Sequence, residues 1–198
     1  MTNPHPPHIV TDRLLLVAAT ADHLRAELQS FRILGSLLDA EVPSDWPPGE
    51  YDRDAQEFFL ERLEFGGPDV VGWYCWYAIQ RDTSEEVRAV VGSGGFLGPP
   101  NSSGEIELGF SIAPAWRERG YATELVKGLA ARAFNDVRVL RIVAQTTPGN
   151  LASRRVLEHA GFARAEDSGG SESVRFEMHA PMTHTDTFLR GEAPSIPG

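Results

Sequence analysis

Residues 105–124 read EIELGFSIAPAWRERGYATE, and this stretch decides the fold prediction because a strand, a loop and a helix start follow one another in it. In 105–112 every second residue is apolar, and successive side chains of a strand point to opposite faces. The residues of the other face are Glu105, Glu107, Gly109 and Ser111. A half-exposed strand explains this pattern, and so does a strand whose polar face lies in a cleft. Pro114 ends the strand, and a helix is predicted from near Arg119 to Phe134.

Outward from this stretch, the chain alternates between predicted strands and helices. The other predicted strands are Arg13–Val17, Trp73–Gln80, Val87–Leu97, Arg138–Thr146, Phe162–Glu166 and Val174–His179. The other predicted helices are Ala21–Phe31, about Asp52–Glu64, and Leu151–His159, with Leu37–Gly49 as a loop. About seven strands and about four helices in this order predict an α+β fold on a mixed sheet. The ends, residues 1–8 and 181–198, are expected to be flexible and irregular, leaving one domain over residues 9–180.

The length and the net charge of the chain limit the classes of function that it can have. The chain has 198 residues, which suits one domain, and 18 Lys and Arg against 28 Asp and Glu give a net charge of −10. An acidic chain argues against nucleic-acid binding and fits small molecules or cationic partners, although it also simply favours solubility. One cysteine excludes an internal disulfide, and the histidines have no ligand-like spacing, so no metal is expected. Without an apolar stretch long enough for a membrane or a secretion-signal layout, we expect a cytoplasmic protein.

The loop Arg117–Ala122 is the candidate anion-binding motif of the chain. It fits the pattern Arg/Gln-x-x-Gly-x-Gly/Ala between a strand and a helix. A helix start presents unpaired backbone N–H groups and a positive dipole end, and small residues let the backbone close on an anion such as a diphosphate. Arg117 and Arg119 add cationic donors. An ordinary basic loop that leads into a helix would have the same sequence pattern. Gly92–Gly95 is not followed by Lys-Ser/Thr and is interpreted as a bulge or turn rather than a phosphate loop.

Three separated segments together resemble the GNAT-fold acetyltransferases, in the branch of the RimJ/RimL-type ribosomal-protein N-terminal acetyltransferases. Thr11–Leu16 (TDRLLL) is similar to that branch's opening motif. Glu107–Phe110 followed by Arg117–Glu124 resembles its strand and acetyl-CoA loop, and Asn150–Ser153 followed by Gly161-Phe162 resembles a later helix. The likeness spans about residues 9–180. It implies a mostly antiparallel central sheet flanked by helices.

The resemblance implies acetyl-CoA as donor and a primary amine as acceptor. The pyrophosphate would lie on the backbone of the loop, and the pantetheine arm would follow the strand around 110–112. The implied cofactor-binding residues are Phe110, Ser111, Ile112, Arg117, Glu118, Arg119, Gly120, Tyr121, Ala122, Thr123, Asn150 and Ser153. Asn150 is also a natural helix cap in any fold.

Direct transfer to an amine needs a free lone pair. A lysine amine of pKa about 10.4 is neutral about once in a thousand molecules at pH 7.4, whereas an α-amine near 7.7–8.0 is neutral far more often. A base therefore matters most for lysine-like acceptors, and Glu107 is the first candidate, with Glu105 second. Both glutamates could instead pair with Arg138 or Arg141. Many members of the family place a tyrosine acid where this chain has Leu157; Ser153 could replace it, or the thiolate could leave unaided.

The sequence is consistent with more than one class of acceptor. Family geometry would build its pocket from the loop around Leu38–Trp46 and the aromatic strand Trp73–Tyr77, where Cys75 is expected to be a small buried hydrophobe. The leading hypothesis is an N-acetyltransferase for a peptide α-amine or a small amine, and a homodimer is possible. The alternatives are a non-catalytic acyl-CoA-binding module and an acetyltransferase for small antibiotics such as aminoglycosides.

Overall fold

One mixed sheet of eight strands organises the computed structural model, which describes residues 6–49, 51–81, 88–165 and 173–181. The strands are β1 His8–Val10, β2 Leu14–Ala18, β3 Cys75–Gln80, β4 Val90–Phe96, β5 Glu105–Ile112, β6 Arg141–Thr146, β7 Ala163–Arg164 and β8 Val174–His179. Their order across the sheet is β1-β2-β3-β4-β5-β6-β8-β7. The α-helices are α1 Ala21–Gln29, α2 Phe31–Leu38, α3 Arg53–Gly66, α4 Tyr121–Phe134 and α5 Leu151–Ala160.

The sheet is antiparallel except between β5 and β6, which are parallel. This parallel pairing is short: Glu105–Glu107 pairs with 141–143 and then stops. Beyond it β5 stays paired with β4 as far as Ile112, and β6 stays paired with β8 as far as Thr146. The two halves of the sheet therefore separate after Glu107, leaving a gap between β5 and β6.

Helices cover the two faces of the sheet. A Cβ added at Gly94 of β4 would lie 3.2 Å from Leu125 and from Leu129, so α4 packs on the face that Gly94 presents. The next residue back, Ser93, points to the other face, opposite Tyr77 of β3. The ring of Tyr77 meets His23 of α1 there at 6.0 Å between centroids. The helices α1–α3 thus lie on the face opposite α4.

The α+β fold on a mixed, mostly antiparallel sheet is confirmed, with one more strand and one more helix than expected. The prediction that the chain is irregular as far as His8 was wrong, because β1 pairs with β2 from His8 onward and Ala18 N donates to Pro7 O at 2.9 Å. This three-residue strand depends on its partner and has no alternation of its own. The predicted helix Ala21–Phe31 ends at Gln29 because Ser30 is extended, and a second helix, α2, follows over Phe31–Leu38, where no helix was predicted. The loop predicted from Leu37 therefore begins only after Leu38.

Other boundaries moved for local reasons. The strand predicted from Arg138 starts at Arg141, because Arg138 is held in a turn by Asp136, to whose carboxylate its guanidinium donates at 2.7 Å. The helix predicted near Arg119 starts at Tyr121, because Gly120 adopts a left-handed conformation. The interpretation of Gly92–Gly95 as a bulge or turn was wrong, because these residues pair in register with β3 inside β4. The bulge lies just before them, where Val91 is the extra residue opposite Ala78 and Ile79.

Some predictions fall outside the described residues. They are residues 1–5 of the N-terminal segment, the start of the strand at Val87, the end of the strand at Glu166, and the tail from 182 onward. Within the described ranges, no helix is long and apolar enough to cross a bilayer.

Gly95 tests how tightly β3 and β4 approach each other. A Cβ added there would lie 1.8 Å from the carbonyl oxygen of Tyr74, which belongs to the backbone and cannot swing away. We expect Gly95→Ala to lower the free energy of unfolding by about 3 kcal/mol or more, measured by urea denaturation. Gly149→Ala is the matched control, because a Cβ at Gly149 has no atom within 4 Å. Equal stability of the two variants would contradict this packing.

Candidate functional site

The edge of β5 that faces the gap offers unpaired backbone groups. Leu97 N donates to Glu107 O at 3.0 Å, and Ala113 N donates to Val91 O at 3.0 Å, so the backbone groups of the odd-numbered residues point toward β4. The even-numbered residues between them point toward the gap. Ile112 O accepts a hydrogen bond from Arg117 Nε at 3.0 Å, while Phe110 presents both an N–H and a C=O. An extended amide-containing chain could therefore pair with this edge as a strand would.

The predicted anion loop lies at the end of the same strand. After a 3-10 turn at Pro114–Trp116, Glu118 and Gly120 adopt left-handed conformations with φ of 60° and 81°. Gly120 is the N-cap of α4, and none of the described side chains caps this end. The first helical bond runs from Glu124 N to Gly120 O at 3.2 Å, so the N–H groups of residues 121–123 have no acceptor within the helix. The arrangement can bind an anion.

A clamp from the N-terminal segment holds this loop. The carboxylate of Glu124 accepts hydrogen bonds from Thr11 Oγ1 at 2.6 Å, Arg13 N at 2.7 Å and Arg13 Nε at 2.8 Å. Arg13 also donates to Arg119 O at 2.9 Å and lies over the Tyr121 ring, with its Cζ 4.8 Å from the centroid. Burial opposes ionisation of Glu124, but the bonds from Thr11 and Arg13 outweigh it and lower its pKa. The clamp gives the motif Thr11–Leu16 a physical role.

An open groove of about 840 Å³ runs beside the clamp. Its basic and hydroxyl-bearing lining residues are Thr11, Arg13, Thr123, Lys127 and His159, with Asp12 and Glu124 as its acidic ones. The groove continues from the start of α4 and places cationic side chains one to two turns along from the open N–H groups. It could accommodate the further charged part of a ligand whose diphosphate lies on the loop.

A smaller pocket of about 250 Å³ lies on the opposite face of the sheet, at the mouth of the gap. Glu107 and Ser111 of β5 line it, together with Gln145 of β6, whose Nε2 donates to Glu107 Oε1 at 3.2 Å. The far wall is aromatic and apolar and includes Tyr51, Ala55, Phe59 and Cys75. A single carboxylate therefore faces a small, partly apolar space beside the separated strands.

The two candidate glutamates have different surroundings. Glu105 accepts ion pairs from Arg141 at 2.6 Å and from Arg175 at 2.7 Å, and it does not line the pocket. Burial opposes its ionisation, but Arg175 and Arg141 outweigh that cost and lower its pKa. The expected alternative of an arginine partner thus applies to Glu105 through Arg141, whereas Arg138 pairs with Asp136. The geometry favours Glu107 over Glu105 as a base.

The residues at the start of α5 and within it differ in what their side chains contact. Asn150 Oδ1 accepts from Ser153 N at 3.1 Å, so the Asn150 side chain caps α5, and this bond leaves its amide nitrogen uncommitted. Ser153 is half-buried in the first turn of the helix. Leu157 is buried in the core at 1 % exposure, where the family would place a tyrosine. The described geometry offers no tyrosine acid at that position.

The acceptor side differs from the expected loop around Leu38–Trp46. Trp46 is buried, and Tyr51 and Phe59 line the pocket in its place. Cys75 lines it too but is 2 % exposed, and burial together with the nearby Glu27 charge raises the pKa of its thiol. The pocket residues Tyr51, Phe59 and Gln145 were not predicted from the sequence, because they are far apart in the chain and belong to no motif. Arg13 was within reach of a prediction because it belongs to the opening motif.

Comparison with known proteins agrees with this fold. Residues 13–163 match the family described as "Acetyltransferase (GNAT) domain". A Bacillus subtilis (strain 168) protein described as "Uncharacterized N-acetyltransferase YjdG" is 32% identical over 149 residues, which are 75% of this chain and 80% of that protein.

Solved structures share the fold at low identity. The acetyltransferase from Agrobacterium tumefaciens str. C58 superimposes with a TM-score of 0.57 at 23% identity, over 87% of this chain and 94% of that one. The ribosomal-protein-S5-alanine acetyltransferase from Vibrio fischeri does so with a TM-score of 0.57 at 16% identity, over 88% and 97%. The family match over residues 13–163, on the fold described above, shows that the chain belongs to the GNAT acetyltransferases.

Proposed function

We propose that this acetyltransferase moves the acetyl group of acetyl-CoA directly to a primary amine, with the α-amine of a peptide or protein N-terminus as the preferred acceptor. One observation carries the proposal. The gap between β5 and β6 connects the open N–H groups before α4 on one side with the Glu107 pocket on the other. A donor entering from the α4 side and an amine entering from the α1–α3 side would meet there.

On the donor side, the diphosphate accepts hydrogen bonds from the loop backbone over 119–123, since Arg117 N already donates to Pro114 O. The groove with Lys127 and His159 takes the remaining phosphate and nucleoside. The pantetheine arm lies in the gap and pairs with Phe110. The arm can also pair with Ile112 only when the Arg117 guanidinium no longer donates to the Ile112 carbonyl. The guanidinium is then free to donate to a phosphate. Asn150 and Ser153 border the arm from α5.

On the acceptor side, the neutral amine nitrogen attacks the thioester carbonyl carbon, forming the C–N bond. The Glu107 carboxylate takes the proton that the nitrogen loses, directly or through a water. The C–S bond then breaks and the electron pair stays on sulfur. A thiol of pKa about 8.5 leaves readily as a thiolate, so no acid is required, and Ser153 is the candidate proton source should one act.

The size of the pocket favours a chain terminus over a bulky acceptor. Its volume of about 250 Å³ lies below the roughly 300–1,000 Å³ of sites that enclose drug-sized ligands. An N-terminal residue fits such a space, whereas an aminoglycoside would stay largely outside it. The name of the Vibrio fischeri relative, a ribosomal-protein-S5-alanine acetyltransferase, points to the same class of acceptor.

The proposal is tested by CoA release, followed with a thiol reagent, on a panel of amines. The panel holds an alanine-initiated heptapeptide, the same peptide with a blocked N-terminus and one lysine, spermidine and kanamycin. We expect the highest kcat/KM for the free α-amine. A preference for kanamycin would favour the antibiotic-modifying alternative, and acetyl-CoA binding without acetylation of any amine would favour the non-catalytic binding module.

Glu107→Gln tests the base. The substitution keeps the size of the side chain and its place beside Gln145 but removes the proton acceptor. We expect kcat for the alanine-initiated peptide to fall about tenfold or more, with the Kd for acetyl-CoA unchanged. Steady-state kinetics across pH 6–9 and calorimetry measure the two quantities. An unchanged kcat over that pH range would remove Glu107 from the role.

Glu105→Gln is the matched comparison on the same strand and face. It breaks the ion pairs with Arg141 and Arg175, so its effect falls on stability rather than on catalysis. We expect a lower Tm and a kcat within about twofold of the wild type, since Glu105 has no contact with the pocket. If Glu105→Gln lowers kcat more than Glu107→Gln does, the two roles are reversed.

Arg13→Ala tests the clamp on the donor loop. It removes the bond to Arg119 O and the stacking on Tyr121 without touching the loop's own sequence. We expect the Kd for acetyl-CoA to rise about tenfold, because the loop must then be ordered at the expense of binding. Arg25→Ala is the control, since Arg25 pairs with Asp22 and Glu64 at an exposed position on α1. Equal Kd values for both variants and the wild type would contradict the clamp.

A further inference from the structure

Glu27 of α1 is a buried carboxylate outside the reaction described above. It is 2 % exposed, and four side chains donate hydrogen bonds to it. Trp46 Nε1 and Gln56 Nε2 donate to Oε1 at 2.6 and 3.0 Å, and Tyr51 and Tyr77 donate from their hydroxyls to Oε2 at 2.8 and 2.6 Å. Four donors occupy the four acceptor sites that a carboxylate has.

This pattern fits an ionised carboxylate satisfied by neutral donors. The indole of Trp46 and the amide nitrogen of Gln56 can only donate, so Oε1 must accept from both, whereas the two tyrosine hydroxyls at Oε2 can donate or accept. Burial raises the pKa of Glu27, and the bonds from Tyr77, Trp46, Tyr51 and Gln56 oppose that rise. Within the described residues, no Lys, Arg or His forms an ion pair with it. Such a group is costly to keep in a core, so its bonds must matter to the structure around it.

The bonds of Glu27 lead to the acceptor pocket. Trp46 begins a stretch, residues 46–49, that forms neither helix nor strand, and Tyr51 lines the pocket beside Cys75, whose Sγ lies 3.4 Å from the Tyr51 oxygen. A Cβ added at Gly49 would lie 2.8 Å from Ser111 Oγ, so this stretch approaches the polar face of β5 next to the pocket. Glu27 therefore ties to α1 both this stretch, through Trp46, and one wall of the pocket, through Tyr51.

We propose that Glu27 is a positioning residue for the acceptor: through Trp46 it holds residues 46–49, and through Tyr51 it fixes a wall of the amine pocket. This inference rests on the proposed function, since it assigns the pocket to the acceptor. The donor site lies on the other face of the sheet and does not depend on Glu27. Loss of the bonds loosens Tyr51, widens the pocket and uncovers Cys75, while acetyl-CoA binding stays as it was.

Two tyrosine variants give a matched pair. Tyr51→Phe and Tyr77→Phe each remove one hydroxyl bond to the same Glu27 oxygen, but only Tyr51 lines the pocket, whereas Tyr77 is 0 % exposed within β3. We expect Tyr51→Phe to raise the KM for the alanine-initiated peptide about fivefold, and Glu27→Gln about tenfold or more. Tyr77→Phe should lower Tm and leave KM unchanged. The Kd for acetyl-CoA should stay within about twofold in all three.

Alkylation of Cys75 gives a readout independent of the acceptor. Cys75 is the single cysteine of the chain, so intact mass after iodoacetamide treatment reports on one site. We expect alkylation to accelerate about tenfold in Glu27→Gln and measurably in Tyr51→Phe, and to stay at the wild-type rate in Tyr77→Phe. Should Glu27→Gln fail to fold, the tyrosine pair alone decides the matter.

Two failures are distinguishable. If all variants lower Tm but leave both KM and the alkylation rate at wild-type values, Glu27 only stabilises the core and the inference is overturned. If the wild-type protein acetylates no amine in the panel, the proposed function fails. Alkylation then still shows whether Glu27 holds Tyr51 over Cys75, and unchanged rates would overturn that part as well.

Discussion

The separation of β5 from β6 after Glu107 is the constraint on which the rest of the site depends. Two paired strands would satisfy each other's backbone groups and close the sheet. Where they part, Phe110 keeps its N–H and C=O groups available toward the gap, which opens to both faces of the sheet. In the reaction that we propose, the anion loop at the start of α4 and the pocket at Glu107 are joined only through this gap.

The closed end of the gap is fixed by charge and its open sides by pairing elsewhere. Glu105 of β5 binds Arg141 of β6 and Arg175 of β8, which holds three strands together just before the separation begins. Beyond it, β6 remains paired with β8 over its whole length and β5 with β4, so neither strand drifts back to the other. Two glutamates separated by one residue thus differ in surroundings: Glu105 secures the vertex and Glu107 faces the opening.

The sequence was sufficient for the elements whose signal is local. Alternation over 105–112 predicted β5 with the observed bounds, and the start of α4 was predicted near Arg119, two residues before its observed start at Tyr121. The strand β1 and the helix α2 were not predicted, because one depends on pairing with β2 and the other on a backbone break at Ser30. Within the site, Tyr51, Phe59 and Gln145 come from separate elements, and only the folded chain brings them to Glu107. Glu27 reads as an ordinary helical glutamate until its four partners are placed around it.

A crystal structure with CoA bound tests most directly whether the gap between β5 and β6 holds the donor. We expect diphosphate oxygens within hydrogen-bonding distance of the backbone N–H groups over residues 119–123. We also expect the pantetheine amides to pair with Phe110 inside the gap and the sulfur to lie at the mouth of the Glu107 pocket. CoA bound elsewhere, or a diphosphate away from the start of α4 with the gap between β5 and β6 empty, would contradict it.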